Sequence, residues 1–108
     1  MANTLKILGQ TATTSSLATL YIVGAGVQTT VSTLIACNTG NTPTTFSVSV
    51  ALSGASDSIQ QYLYYNVPIN GNDTFAATIG LTLGQTDVIR VQSGNGACSF
   101  SAFGIEKT

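Results

Sequence analysis

Period-two alternation is the feature that most narrows what this chain can fold into. Residues 44–52, TTFSVSVAL, place Phe46, Val48, Val50 and Leu52 on one side of an extended backbone and Thr45, Ser47, Ser49 and Ala51 on the other. Successive strand residues point to opposite faces, so the first set reads as a core face. Residues 72–83, NDTFAATIGLTL, repeat the pattern, with Phe75, Ala77, Ile79, Leu81 and Leu83 against Thr74, Ala76, Thr78, Gly80 and Thr82. TTVSTLIACN at 29–38 alternates Val31, Thr33, Ile35 and Cys37 with Ser32, Leu34 and Ala36. No stretch of a dozen residues shows the 3.6-residue period of an amphipathic helix.

The chain therefore reads as all-β. Expected strands are Thr4 to Leu8, Thr19 to Val23, Thr30 to Cys37, Thr45 to Leu52, Tyr62 to Val67, Thr74 to Leu83, Val88 to Gln92 and Cys98 to Ile105, all rich in β-branched and aromatic residues. Gly24-Ala25-Gly26, Asn38 to Pro43, Ser53 to Ser56, Asn70-Gly71, Gly84-Gln85 and Asn95-Gly96 separate them with residues that tolerate turn geometry. Asn95-Gly96 is the best hairpin signal of the set. About seven to eight short strands at this spacing fit a single β-sandwich over 1–108, jelly-roll-like or Ig-like. Within it, residues 1–17 form either an N-terminal arm that adds a strand to a neighbour or an ordinary first strand.

The outward faces of these strands lack the Lys and Glu of an ordinary soluble surface. Charged residues make up 6% of the chain, against about 25% in a typical domain. Either Thr and Ser simply hydrogen-bond water there, or part of the neutral surface is covered by other subunits. The second reading is favoured because unguarded neutral strands invite edge-to-edge association. It makes the chain a homo-oligomer, with a trimer as the first expectation.

Several function classes fall away on charge and residue type. A formal net charge of −1 from 3 basic and 4 acidic side chains offers no patch for nucleic-acid phosphates. No run of about 20 apolar residues could span a membrane as a helix, and MANTLKILGQ falls short of a signal peptide. Synthesis in a host cytoplasm without secretion follows as the expectation, with Cys37 and Cys98 reduced and behaving as small hydrophobes.

The chain has no His, which removes the commonest general base and metal ligand. Asp57, Asp73, Asp87 and Glu106 are isolated from one another in sequence, so no catalytic pair is indicated. PINGNDT at 68–74 brings one carboxylate, short of a calcium loop. No catalytic residue, metal site or cofactor is expected. The tyrosines of QYLYYNVPI, with Tyr62 and Tyr64 on one face and Tyr65 with Leu63 on the other, suit a core edge, a protein interface or a sugar platform. Arg90 alternates with Ile89 and Val91, so it points outward, toward Asp87 or an acid of a neighbouring subunit. The candidate interface is thus Tyr62, Tyr64, Tyr65, Thr45, Ser47, Ser49, Thr74, Thr78 and Arg90.

In order along the chain, MANTLKILGQ, LYIV, TTVSTLIACNTG, TTFSVSVA, QYLYYNVPINGNDTFAATIGLTL, DVIRVQS and CSFSAFGIE resemble a family of small proteins and fused domains among the structural genes of tailed bacteriophages, cyanophages included. The resemblance implies a virion component without enzymatic activity. Its partners would be other virion proteins, the major capsid protein for a head cement or decoration protein and tail proteins for a tail, baseplate or fibre-attachment domain. A host-glycan-binding module using Tyr62, Tyr64 or Tyr65 is the alternative of a different class.

Overall fold

A computed structural model describes residues 3–12 and 15–108. Among the described residues the regular structure is eight strands, β1 Asn3–Ala12, β2 Ala18–Ile22, β3 Gln28–Asn38, β4 Thr44–Ala51, β5 Tyr62–Ile69, β6 Thr74–Leu83, β7 Val88–Ser93 and β8 Cys98–Lys107, with two single 3-10 turns, Leu52–Gly54 and Ile59–Gln61, between β4 and β5. Each expected strand is present, most of them a residue or two longer at the ends. Of the stretch 1–17, Asn3–Ala12 form β1, paired with β8, while residues 1, 2, 13 and 14 lie outside the described residues.

The strands form two antiparallel four-stranded sheets, with orders β1-β8-β3-β6 and β2-β7-β4-β5. First pairs with last, second with second-last, third with sixth and fourth with fifth, which is the wrapped-hairpin arrangement of a jelly roll rather than the Ig-like alternative. One consequence corrects the reading of Asn95-Gly96. These residues join β7 to β8, which belong to different sheets, so the turn carries the chain across the sandwich and closes no hairpin. Gly96 supplies the positive φ that the crossing needs, at 76°.

The core lies between the sheets. Phe75 and Phe100 from the first sheet meet Phe46 and Tyr64 from the second, with Phe46 ring centroids 5.1 Å from Phe75 and 6.3 Å from Phe100. Val31, Leu34, Val48, Ile89, Val91 and Ala102 are fully buried around them. At one end the sheets are tied by a polar network. The Tyr21 hydroxyl donates to Glu106 Oε2 at 2.5 Å and lies 2.8 Å from Thr29 Oγ1, while Lys6 Nζ lies 3.1 Å from Glu106 Oε1. At the other end Asn38 is buried, its amide nitrogen donating to the Thr42 and Asn70 carbonyls and its oxygen accepting from the Gly40 amide.

A line of bulges crosses the first sheet. Pairing of β8 with β1 shifts between Ile7 and Gly9, and pairing of β3 with both its neighbours shifts between Val31 and Thr33. An extra residue reverses which side chains face inward. Val31 is buried, and beyond the bulge it is Leu34, Ala36 and Asn38 that point into the core. Thr33, Ile35 and Cys37 therefore turn outward, which revises the expected faces of this strand and places Cys37 half-buried on the outer face instead of in the core. Cys98 is buried, and Cys37 and Cys98 are not joined in a disulfide. Burial, then the neighbouring Cys37, push the Cys98 thiol up, so it stays protonated and unreactive.

Backbone approaches closely at this line, which is why glycine sits there. A Cβ on Gly104 would lie 2.1 Å from the Thr30 carbonyl oxygen, and one on Gly9 2.2 Å from that of Leu20. Because those oxygens belong to strand backbone, neither can yield without disturbing the sheets. Gly104→Ala is expected to cost about 1–3 kcal/mol as an overpacking substitution, read as a lowered midpoint in urea unfolding with an unchanged slope.

Candidate functional site

The two outer faces of the sandwich differ in what covers them. On the second sheet, Thr45, Ser47, Ser49 and Ala51 of β4 point away from the core, and all but Thr45 are buried. The β4–β5 connection, residues 52–61, folds over them. Arg90 clamps it, donating from Nη1 to the Ala55 carbonyl at 2.8 Å and from Nη2 to the Gly54 carbonyl at 3.2 Å. Asp87 holds the same segment from the other side, its carboxylate accepting from the Ser53 and Gly84 amides at 2.9 Å each. An Arg90–Asp87 ion pair is thus replaced by two separate grips on backbone. Nearby, Gln92 donates to the Ser15 carbonyl, and Ser47 Oγ accepts from the Asn66 amide.

The small hydroxyls of TTFSVSVAL are therefore roofed by the chain's own loop. Ser47 is 3% and Ser49 0% exposed, so neither is available to another molecule. Lysine at 49 would strike this roof and disturb the fold itself. Ser49 Oγ is buried and has no hydrogen-bond partner, a situation that costs about 1–3 kcal/mol for a buried polar group.

β5 departs from simple alternation for a local reason. Its pairing with β4 shifts twice, between the partners of Phe46 and Val48 and again between those of Val48 and Ser49, with Asn66 at φ 50°. The tyrosines are redistributed accordingly. Tyr64 packs inward, 5.1 Å from Phe75, whereas Tyr62 and Tyr65 pair edge-to-face at 4.9 Å on the outside. Asp57 accepts from the Tyr62 hydroxyl at 2.9 Å. Bulges and Pro68 also blunt this edge against further pairing.

Among the described residues, the outer face of the first sheet has no such roof. Strand register sets its side chains in four rows running β1, β8, β3, β6: Leu5, Ile105, Thr30, Thr82; then Ile7, Phe103, Thr33, Thr78; then Gln10, Ser101, Ile35, Ala76; then Ala12, Ser99, Cys37, Thr74. None of these sixteen is charged and none is buried, while Lys107, in register with Asn3 and Gln28, continues the same face beyond Ile105 and brings a charge to that end. Leu5 is 80% and Ile7 53% exposed, and with Phe103 and Ile105 they form a contiguous apolar cluster. Thr74 and Thr78, expected at an interface, lie on this face. Leu5, Ile7, Phe103 and Ile105 were not among the residues the sequence singled out, although the alternation of TLKILG in β1 and of SAFGIE in β8 was the signal that could have found them.

The carboxylates of the described residues are engaged separately from one another. They contain no group of three or more His, Cys, Asp or Glu able to hold a metal ion. Asp73 accepts from the Thr74 amide at 2.8 Å, which is turn chemistry. Glu106 sits in the Tyr21–Lys6 network, which holds its carboxyl below the usual range, the Tyr21 hydrogen bond being the largest cause. Burial, then the same bond, push Tyr21 up to about 12, so it remains a donor at any ordinary pH.

No family model matches the chain, and no curated protein matches it. A chain of the solved acid-stable capsid structure of the Helicobacter pylori bacteriophage KHP30 is similar in fold, with a TM-score of 0.54 over 98% of this chain and 87% of that one at 13% sequence identity.

Two outcomes are expected from this geometry. Ser49→Ala removes an unpartnered hydroxyl and should leave the melting temperature unchanged or raise it, by up to about 1 kcal/mol of stability, whereas a loss above that would mean Ser49 has a partner. Glu106 has a lowered folded pKa, so its contribution is full above the ordinary glutamate pKa of about 4.3 and is lost as pH falls through the folded value. Urea unfolding of Glu106→Gln should accordingly show a smaller loss of stability than the parent on passing from neutral to strongly acid pH, while the two converge at the acid end.

Proposed function

We propose that this chain is a non-enzymatic structural component of a tailed-phage virion, a cement or decoration protein that binds the head shell and stabilises it. One observation carries this reading: a jelly roll whose outer sheet face holds no charge over four rows of side chains, is apolar toward one end and open, in a chain similar in fold over nearly its whole length to part of a phage capsid structure. Fold likeness alone leaves function open. The open face adds what a protein working by assembly needs, since exposed contiguous apolar area marks interaction sites.

The mechanism is mass action. A protein that binds only the assembled shell stabilises it by RT ln(1 + [L]/Kd), about 2.7 kcal/mol per site at a hundredfold excess over Kd. Many symmetry-related copies multiply a modest contact into a large effect on the particle. Assembly as a homo-oligomer would raise it further, because linked copies engage the lattice together.

Purified protein mixed with heads lacking it tests the reading. Attachment in sedimentation, with heads surviving a higher temperature before releasing DNA, is the expected result. Recovery with tails instead of heads, or retention on host polysaccharide that Tyr65→Ala abolishes, would overturn it.

A further inference from the structure

We infer that the open face of the first sheet packs against the same face of a second copy of this chain. The inference rests on the reading above of a protein that works by assembly, and it names the partner of that face.

The first ground is the asymmetry between the two sheets. The second sheet's outer face is closed by residues 52–61, held by Arg90 and Asp87. Its edges are blunted as well, since β2 has 5 residues and β5 is bulged and carries Pro68. The first sheet has no such roof, and its edge strands, though each is bulged once, are neither short nor interrupted by Pro. Its edge strands β1 and β6 each run for 10 residues, and β6 contains no charge and no Pro. Proteins that stay single guard such strands.

The second ground is charge. Sixteen outward positions in four rows hold no ionisable group apart from the Cys37 thiol. Apart from Lys107, which stands beside Asn3 and Gln28 at one end of the face, a second copy of the same face brings no like charges together and strips no ion of water. A partner presenting the charged surface usual for soluble proteins would lose hydration there without gaining a counter-charge.

Area is the third ground. Four strands about 4.8 Å apart and ten residues long at about 3.3 Å each span roughly 600 Å² in projection, and side-chain relief brings this near the 800 Å² per partner of a standard interface. Apart from the apolar cluster and Gln10, the face is built of Thr, Ser, Ala, Ile and Cys. Such low relief lets two sheets approach to the spacing of about 10 Å seen within sandwiches. The same face on both copies closes the contact on itself, giving a pair in place of the trimer expected from sequence.

Light scattering on the full chain, on Ile7→Glu and Thr78→Glu, and on Leu52→Glu as a control on the other side tests this. Each substituted residue is exposed, so the folds should survive, as circular dichroism would verify. The parent and Leu52→Glu should give twice the 11.0 kDa of one chain. Both face variants should fall to the single-chain mass, and alkylation of Cys37, slow in the parent, should become concentration-independent and faster in them. A parent of single-chain mass at the highest soluble concentration, or face variants that still pair, would overturn the inference. Shell attachment is read separately: a single-chain protein that attaches to heads overturns the pairing and keeps the virion role, whereas a pair that ignores heads does the reverse.

Discussion

Everything in the first sheet depends on β8 finding its two partners. The strand order β1-β8-β3-β6 makes the last strand the only link between β1 and the rest of that sheet, so the beginning of the chain is held in place by its end. Lys6 meets Glu106 across 100 positions of sequence. Closing so long a loop must precede the reward from its contacts, which makes such a topology slow to fold. The close backbone approach at Gly104 and Gly9 shows how little slack the arrangement has. It also explains why the line of bulges runs across the sheet: each neighbour of β8 absorbs its extra residue at the same level, which keeps the ladder in register on both sides of the kink.

Those bulges mark the boundary of what the sequence could say. Alternation and turn residues locate all eight strands, because neither depends on partners. Pairing order is a different matter, since Asn95-Gly96 reads locally as a hairpin and only the three-dimensional arrangement sends β8 to the other sheet. Face assignment fails for the same reason beyond Val31 and along Tyr62 to Asn66. A single extra residue in a ladder inverts every side chain after it, and nothing within TTVSTLIACN or QYLYYNVPI distinguishes a bulged strand from a regular one.

The residues named from neutral strand faces divide between the two outer faces. Thr74 and Thr78 lie on the open one. Ser47 and Ser49 carry the same signal for the opposite reason, being covered by the chain itself, Ser47 against Asn66 and Ser49 beside the Arg90 that holds residues 54 and 55. Sequence alone cannot separate a hydroxyl that meets its own loop from one that meets another molecule, as both are small and uncharged. Arg90 shows the complementary case: one of three cations in the chain, it is spent on holding that loop down.

Neutrality finally sets how any contact made by the open face would respond to its surroundings. Association driven by opposite charges weakens with salt over a Debye length of about 8–10 Å. A face of Thr, Ser, Ala and a Leu5–Ile7–Phe103–Ile105 cluster, with Lys107 at its margin, has little such dependence, and excluded salts strengthen the burial of its apolar area. Titration hardly touches it either, because the chain holds four carboxylates and no His, and none of them lies among the sixteen outward positions. Acid that protonates Glu106 loosens the tie between the sheets while leaving the open face chemically unchanged. Stability of the sandwich and adhesion of its outer face are thus governed by separate groups, which allows one to vary with pH while the other does not.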